Sequence, residues 1–346
     1  MPDTYGASSP KENCADLRTS GWELSLSWND SVKLAGSEFR YNASFTLGDY
    51  LTKITRYHNP DGILPTYNGY SSASSNYYVG MTLGEIWGYQ VDGLFKTDHE
   101  AAVYQASVDD RVVNNRVYQG KGPAGAYLRA GDVRFKDVNG DGVISRGSGT
   151  LADHGDLTVI GNSLPRYNYS FRLGVSWYGI DISAFFQGVG HRDWYPPSGQ
   201  KSYDFWGPYA FPPTSFISKN FAANVWTEDN RNAYFPRARG YEAYDGGSLA
   251  TVNDRYLQNL AYLRFKNLTI GYSLPEKWMK AIKFQQIRIY FSGENICYWS
   301  PLKKYCDTMD PEIAGTGSAG DDNNPKGSGV GYAYPRTFSV GVEIKF

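Results

Sequence analysis

This chain has few cysteines and almost no net charge, and each of these two features excludes a class of protein. Only 3 of the 346 residues are cysteine, so Cys14, Cys297 and Cys306 cannot all pair with one another, and no CxxC spacing indicates a zinc site. A bridge between Cys297 and Cys306 and free thiols both stay open, with free thiols the simpler expectation. The formal net charge is -1, which is not the basic excess of nucleic-acid-binding proteins, so we expect no nucleic acid partner.

Long apolar runs and catalytic motifs are also missing. No stretch approaches about eighteen consecutive apolar residues, which excludes a transmembrane helix. The sequence has no GxSxG, HExxH or P-loop motif, and its 4 histidines are scattered. Carboxylates are plentiful, but nothing in the sequence places two of them together as a glycosidase requires. We therefore expect no enzymatic activity.

What the sequence does have is strict alternation of apolar and polar residues. Residues 337–346 alternate up to a terminal aromatic residue, Phe346, which we expect to act as an assembly signal, and residues 166–177 keep the same period. At ~3.3 Å per residue and a tilt of roughly 45°, a strand of that length spans about 25 Å, the height of the apolar band of a membrane barrel. Arg166 and Arg172 fall on the polar side of this pattern. The predicted membrane-facing side chains are Tyr169, Phe171, Leu173, Val175, Phe338, Val340, Val342 and Ile344.

Seven segments carry this pattern, and they predict an all-β fold, an antiparallel transmembrane β-barrel. Short and long connections alternate between them, as outer-membrane barrels require. A change of phase near Asn267 predicts a β-bulge. Seven is odd and below the eight strands of the smallest single-chain barrels, and Met1 is not followed by a secretion signal, so we expect the C-terminal part of a larger barrel. The predicted strands are 21–30, 38–57, 166–177, 179–190, 257–274, 284–294 and 336–346.

The predicted organisation has three parts. Residues 1–57 and 166–346 supply barrel strands, the second part with extracellular loops, and residues 58–165 form a long extracellular loop with a small cap element. Within that loop, residues 81–95 read as short strands, and Thr97 begins a capping box before a short helix at 101–106. No segment of the chain reads as a plug domain.

One acidic segment matches the first half of a calcium loop. Asp137, Asn139 and Asp141 occupy its first, third and fifth positions, and the carbonyl of Val143 its seventh. The twelfth position is Ser148 instead of glutamate, so a bound calcium ion and a metal-free turn rich in Asp and Asn both stay open. We expect no other cofactor.

Aromatic residues are concentrated in the predicted loop between residues 191 and 253. Exposed rings with polar neighbours suit the faces of sugars, whereas the alternative is that these rings pack the loop against the barrel mouth. A soluble, secreted β-sandwich that binds carbohydrate is the main rival to the barrel and predicts folding without detergent. The candidates for substrate binding are Trp194, Tyr195, Trp206, Trp226 and Tyr234.

Ordered motifs give the chain a resemblance to a known family. The stretches 84–89, 131–142 and 160–167 resemble the SusC/RagA family of TonB-linked outer-membrane transporters, and the resemblance continues in family order to the end of the chain. The continuing motifs lie at 184–188, 262–268, 291–295 and 334–338.

The resemblance implies a 22-stranded barrel with an amino-terminal plug in the outer membrane of a Gram-negative, Bacteroides-type cell. Such a protein imports oligosaccharides or peptides with energy passed through the TonB complex, and a SusD-like lipoprotein lies over its extracellular loops. This chain departs from the pattern because it lacks the plug and most of the barrel.

Overall fold

The structure is a computed structural model whose strands are numbered in chain order. Seven long strands form one antiparallel sheet in the order β1-β2-β9-β10-β15-β16-β17. They are β1 (Ala15–Leu34), β2 (Ser37–Tyr57), β9 (Arg166–Trp177), β10 (Ile180–His191), β15 (Tyr262–Ser273), β16 (Gln286–Trp299) and β17 (Thr337–Lys345). All seven predicted strands are confirmed. The residues described are 13–66, 76–112, 128–197, 203–209, 219–238, 243, 247–306, 308–314 and 334–346.

The seven strands are connected differently at their two ends. At one end, Ala35–Gly36 and Tyr178–Gly179 make two-residue turns, and all four residues have a left-handed φ, between 48° and 82°. Two such residues define the type I′ turn, whose twist matches that of the flanking strands. The third short link carries helix α4 (Glu276–Ile282). All the long connections leave the opposite end, so the predicted alternation of short and long loops is confirmed.

The predicted bulge lies at Lys266. In β10, Phe185 is opposite Asn267 and Phe186 is opposite Phe265, so Lys266 is the extra residue between them. The insertion explains why apolar residues of β15 move from odd to even positions, because one additional residue reverses the side of every residue that follows.

Register places the apolar residues of all seven strands on one side of the sheet, here called the apolar face. Phe45 is opposite Phe171, and Phe171 is opposite Phe186. The ring of Phe186 stacks on that of Phe171 at 4.4 Å and on that of Phe265 at 4.3 Å. Large apolar side chains stay open on this face, since Leu173 is 48% and Val340 77% exposed.

Arg166 departs from the sequence prediction. Tyr167 has φ of 56°, which breaks the alternation at the start of β9, and the Arg166 guanidinium forms a bidentate ion pair with Asp49 at 2.5 and 2.6 Å. Asp49 is opposite Trp22, and Trp22 alternates in phase with Leu24, so the ion pair lies at the long-loop end of the apolar face. The assignment of Arg166 to the polar face is therefore wrong.

The long connections fold together into a second body, the loop domain, formed by the described residues of 58–165, 192–261 and 300–314. Its short strands pair as β3 with β8, β4 with β6, β5 with β7, β11 with β14 and β12 with β13. They are β3 (Glu85–Gly88), β4 (Val91–Leu94), β5 (Asp109–Asp110), β6 (Val133–Phe135), β7 (Val143–Ile144), β8 (Thr158–Asn162), β11 (Asp193–Trp194), β12 (Val225–Trp226), β13 (Phe235–Arg237) and β14 (Gln258–Asn259).

Helices α1 (Asp98–Ser107), α2 (Tyr203–Trp206) and α3 (Lys219–Ala223) also belong to the loop domain, with 3-10 turns at Gly207–Tyr209 and Pro301–Lys304. The predicted cap of α1 is confirmed, because the Thr97 hydroxyl accepts a hydrogen bond from the Glu100 amide at 3.1 Å. The helix begins at Asp98, earlier than predicted. No helix in the described part of the chain is long and apolar enough to cross a bilayer.

Candidate functional site

The aromatic candidates lie mainly inside the loop domain. Trp194, Tyr195, Trp206 and Trp226 are all at most 5% exposed, and Tyr234 is half-buried. The first four rings pack within the loop domain itself, whereas the sequence's packing alternative placed them against the barrel mouth. A role for these five residues in substrate binding stays a prediction.

Trp206 shows how the rings assemble this core. Its ring lies 4.8 Å from that of Phe205 and 5.8 Å from that of Tyr256, both edge to face. Its indole N–H donates to the Pro196 carbonyl at 3.3 Å. Edge-to-face contacts of this kind stabilise by about 0.5–1.5 kcal/mol each beyond the area they bury. The tryptophan therefore joins segments that are far apart in sequence.

Buried tyrosines give the loop domain internal hydrogen bonds. The Tyr195 hydroxyl donates to the Leu249 carbonyl at 2.8 Å, and the Tyr234 hydroxyl donates to the Arg255 carbonyl at 2.9 Å. Burial raises the pKa of both phenols well above the ordinary value, so both stay protonated donors at physiological pH. Tyr234 also stacks on Tyr305 with 3.5 Å between ring centroids, which connects the second long loop to the third.

The predicted calcium loop is a closed turn held by its own carboxylates. Asp137 accepts hydrogen bonds from the amides of Gly140 and Gly142 at 2.6 and 2.8 Å. Asp141 accepts one from the Val143 amide at 2.7 Å, and the Asn139 side-chain amide donates to Asp141 at 3.0 Å. No three His, Cys, Asp or Glu side chains converge as a metal cluster would in the residues described. Calcium binding stays a prediction, which titration of calcium into the protein and into an Asp137→Ala variant tests.

Sequence reasoning missed a buried charge cluster that joins the sheet to the loop domain. Arg264 of β15 and Asp310 of the third long loop are each 2% exposed and form an ion pair at 2.5 Å. A second carboxylate, Glu312, lies 2.6 Å from the Arg264 Nε. The guanidinium also lies over the ring of Tyr298, 4.9 Å from its centroid. The only signal in the sequence was an arginine on the polar side of a strand, which gives no indication of its partners.

The polar face of the sheet carries a row of small neutral side chains. Register aligns one residue from each of the seven strands across this face, and amide and hydroxyl groups predominate. The row is Asn29, Asn42, Gly174, Ser183, Thr269, Ser292 and Ser339.

Toward the short-turn end, Arg288 pairs with Asp181 at 2.5 Å and approaches Glu343 at 3.7 Å. A surface of this kind forms hydrogen bonds with water or with a hydrated solute.

The eight predicted membrane-facing residues all lie on the apolar face by register. Phe338 and Val342 are both 58% exposed, whereas Tyr169 and Phe171 are half-buried, with Phe171 stacked on Phe186. Phe346 is 83% exposed, and its ring lies 5.5 Å from that of Phe284. Contact of these residues with lipid and the assembly role of Phe346 stay predictions.

Comparison with known proteins gives relatives over the whole chain. TonB-dependent receptor P26 of Formosa agariphila is 25% identical over 348 residues and TonB-dependent receptor P3 of the same organism 25% over 365; both matches cover 100% of this chain but only 31% and 30% of those proteins. No protein-family model matches the chain.

Solved structures agree with the fold. A RagAB peptide transporter aligns with a TM-score of 0.59, and the RagAB peptide importer in its closed-closed state with a TM-score of 0.61, each at 18% identity and over 100% of this chain. The match covers 31% of each of those chains. The resemblance to the SusC/RagA type of TonB-dependent receptor is thus confirmed along the whole chain, which has the fold of a partial β-barrel and spans about a third of the relatives' length.

Proposed function

We propose that this chain supplies seven strands of the wall, and the loop domain, of a TonB-dependent importer in the outer membrane of a Gram-negative, Bacteroides-type cell. One observation carries the proposal. Large apolar side chains are exposed on the apolar face of six of the seven strands and are half-buried on β2, while the main buried cluster lies in the loop domain at one end of the sheet. That division fits a wall that meets lipid and loops that fold in water.

The rival β-sandwich needs a second sheet packed on the apolar face. In a sandwich, the inward faces of two sheets interdigitate to make the core. The other sheets in the described residues have two short strands each, and the main buried cluster consists of loop-domain residues. The arrangement therefore favours the membrane wall and argues against the soluble sandwich.

The polar face suits a hydrated cargo. Its row of amide and hydroxyl groups offers hydrogen bonds without a dominant charge, and both oligosaccharides and peptides form such bonds. The RagAB structures are described as a peptide transporter and importer, while loop aromatics favour glycans only weakly because most are buried. We therefore propose an oligosaccharide or a peptide as cargo.

The loop domain is the part of the chain that is suited to a protein partner. Its aromatic core and its ion pairs with the sheet give it a fixed shape, so its outer surface is a preformed platform. We propose that a SusD-like surface lipoprotein binds there and that the TonB complex engages other parts of the complete protein.

Deletion of the gene in its native host tests the function. Uptake of fluorescent oligosaccharides and peptides is measured in the deletion strain, with and without a protonophore, and after complementation. The proposal predicts that one cargo class loses its energy-dependent uptake and regains it on complementation. The proposal is contradicted if the deletion strain takes up both classes as before and if the protein of the parent strain is absent from the outer-membrane fraction.

Affinity capture tests the partner separately. The complete protein, solubilised in mild detergent, is expected to retain a lipoprotein of the SusD type. A variant with residues 308–314 replaced by a Gly/Ser linker is the comparison; because this change also removes the carboxylate partners of Arg264, its recovery from the outer-membrane fraction is measured to show that the strands still assemble. Equal recovery of the lipoprotein with both proteins argues against docking on this domain.

A further inference from the structure

Helix α4 presents two large apolar side chains that remain about half exposed in the described part of the chain. Trp278 and Ile282 are 58% and 49% exposed. They are four residues apart and therefore share one side of the helix. Met279, about a quarter of a turn away, is buried at 2% exposure and attaches the helix to the sheet end. The apolar surface is thus held in a fixed orientation.

Charged residues surround this surface. Lys277, Lys280 and Lys283 are all exposed, and the one acidic residue of the helix, Glu276, is paired with Lys280 at 2.7 Å. Lys277 and Lys283 therefore give a net positive charge beside the exposed Trp278. Lysine and tryptophan together are typical of the boundary between lipid and water, where phosphate groups meet the first methylene groups of the chains.

Register fixes the position of α4 relative to the apolar face. Trp177, Ile180 and Tyr272 are aligned across neighbouring strands near the short-turn end. The helix begins four residues after Tyr272, within about 13 Å of chain at ~3.3 Å per residue. It therefore lies immediately beyond the last apolar rows, at the level where a lipid headgroup layer begins.

The opposite boundary of the apolar face carries a different signature. The Asp49–Arg166 ion pair lies at its long-loop end. Eleven residues separate Arg166 from Trp177, which corresponds to about 25 Å along the membrane normal for a tilted strand. A charged pair at one end and α4 at the other thus bracket a surface of bilayer thickness.

We propose that α4 is an interfacial anchor: Trp278 and Ile282 insert into the phospholipid leaflet on the short-turn side, and Lys277 and Lys283 contact lipid phosphate. The proposal rests on the membrane wall of the proposed function and adds a lipid-binding element to it. The occupant is phospholipid because the helix directly follows the short-turn end of the strands that carry the apolar face and because the charge beside its apolar side chains is positive.

Spin labels on the complete protein test this anchor. Single cysteines at 278, 282 and 280 are introduced after the three native cysteines are replaced by alanine, and the protein is reconstituted into vesicles of phosphatidylethanolamine and phosphatidylglycerol. Electron paramagnetic resonance then compares the accessibility of each label to oxygen and to a water-soluble nickel complex. The anchor predicts a higher ratio of oxygen to nickel accessibility at 278 and 282 than at 280, the matched control on the opposite side of the helix.

A label at Leu173 separates the two claims. If that label is deep in the bilayer while 278 and 282 behave like 280, the anchor is wrong and the membrane wall stands. If the Leu173 label is also aqueous, the wall itself fails, and the anchor fails with it. Reconstitution yield and the Leu173 label together show that the labelled proteins have folded.

Discussion

Arg264 illustrates how much of this molecule depends on single side chains. One guanidinium donates a hydrogen bond to Asp310, forty-six residues away in sequence, and makes a close charge contact with Glu312. Both Arg264 and Asp310 are almost completely shielded from water. Burying such charges is costly, and the cost is recovered only while every partner is present. The cluster therefore fixes the third long loop against the wall.

Substitution of Arg264 by methionine keeps much of its volume and removes its charge. We expect the free energy of unfolding to fall by about 3–5 kcal/mol, because Asp310 is left buried without its cation. The change is measured by unfolding the complete protein in detergent with guanidinium chloride and following its tryptophan fluorescence.

The control is Lys280→Met, which removes an exposed ion pair with Glu276 and is expected to change stability very little. An equally small effect of Arg264→Met would mean that the buried cluster does not hold the loop.

For single residues, the sequence predicted the face of a strand on which a side chain lies better than it predicted what surrounds a side chain in a loop. Leu173 and Val340 were assigned correctly to the apolar face because period two requires no knowledge of partners. Trp206 was ambiguous, because an aromatic ring in a loop is equally compatible with a buried core and with an exposed sugar site. Arg166 was misplaced because the left-handed residue that follows it cannot be read from alternation.

Within the sheet, a glycine leaves room for an ion pair between side chains of the two strands that flank it. A Cβ added at Gly271 of β15 would lie 2.5 Å from Arg288 Nη2 and 2.5 Å from Asp181 Oδ1. The ion pair between β10 and β16 thus passes directly over this glycine. No other residue type leaves room for it.

Gly271→Ala is expected to displace the Asp181–Arg288 pair and to lower the free energy of unfolding by about 1–3 kcal/mol, the usual cost of overpacking. Thermal unfolding followed by circular dichroism measures the effect. Gly48→Ala is the matched control, since its added Cβ would meet its nearest neighbour, Glu23, at an ordinary 3.4 Å. Equal losses in the two variants would show that backbone entropy, and not the ion pair, is responsible.

The acidic turn of the loop domain is a second element whose stability can be tested. Asp156 is fully buried and accepts hydrogen bonds from the amides of Val138 and Ser145, both at 2.8 Å. Asp156→Ala removes the charged acceptor that two partly buried amides share, so we expect a loss of about 1–3 kcal/mol in the free energy of unfolding.

Asp153→Ala is the comparison, because Asp153 is exposed and water can replace it at the Ser148 amide. The rate of cleavage within residues 128–156 is compared between the two variants by limited proteolysis. Similar cleavage of the two would contradict a structural role for the buried carboxylate.

Elements were predictable where local pattern defines them and not elsewhere. All seven long strands, the bulge at Lys266 and the cap of α1 follow from residues that are close in sequence. The loop domain does not, because its short strands pair across large separations: β3 and β8, for example, join Glu85 with Asn162. Such contacts depend on how the three long loops pack together, and this packing cannot be predicted from any one stretch of sequence.

The whole molecule places its apolar residues in two different settings. The loop domain buries them in its own core, as a protein does in water, whereas the sheet leaves them open over a surface of bilayer height. The strands add little to the mean hydropathy, which is only -0.49, because the polar face of the sheet balances its apolar face. The chain spans about a third of its relatives, and we propose that the other strands of the complete protein close the wall.

The orientation of the wall is the central claim, and two adjacent residues of β9 test it most directly. Leu173 lies on the apolar face and Arg172 on the polar face, where its guanidinium lies 5.5 Å from the ring centroid of Phe185. The free energy of unfolding is measured for Leu173→Arg and Arg172→Leu in the complete protein folded into phospholipid vesicles. We expect Leu173→Arg to cost about 2–4 kcal/mol, as a charge near mid-bilayer does, and Arg172→Leu to have a small effect. Equal costs for the two substitutions, or a larger cost for Arg172→Leu, would contradict the assignment of the apolar face to lipid.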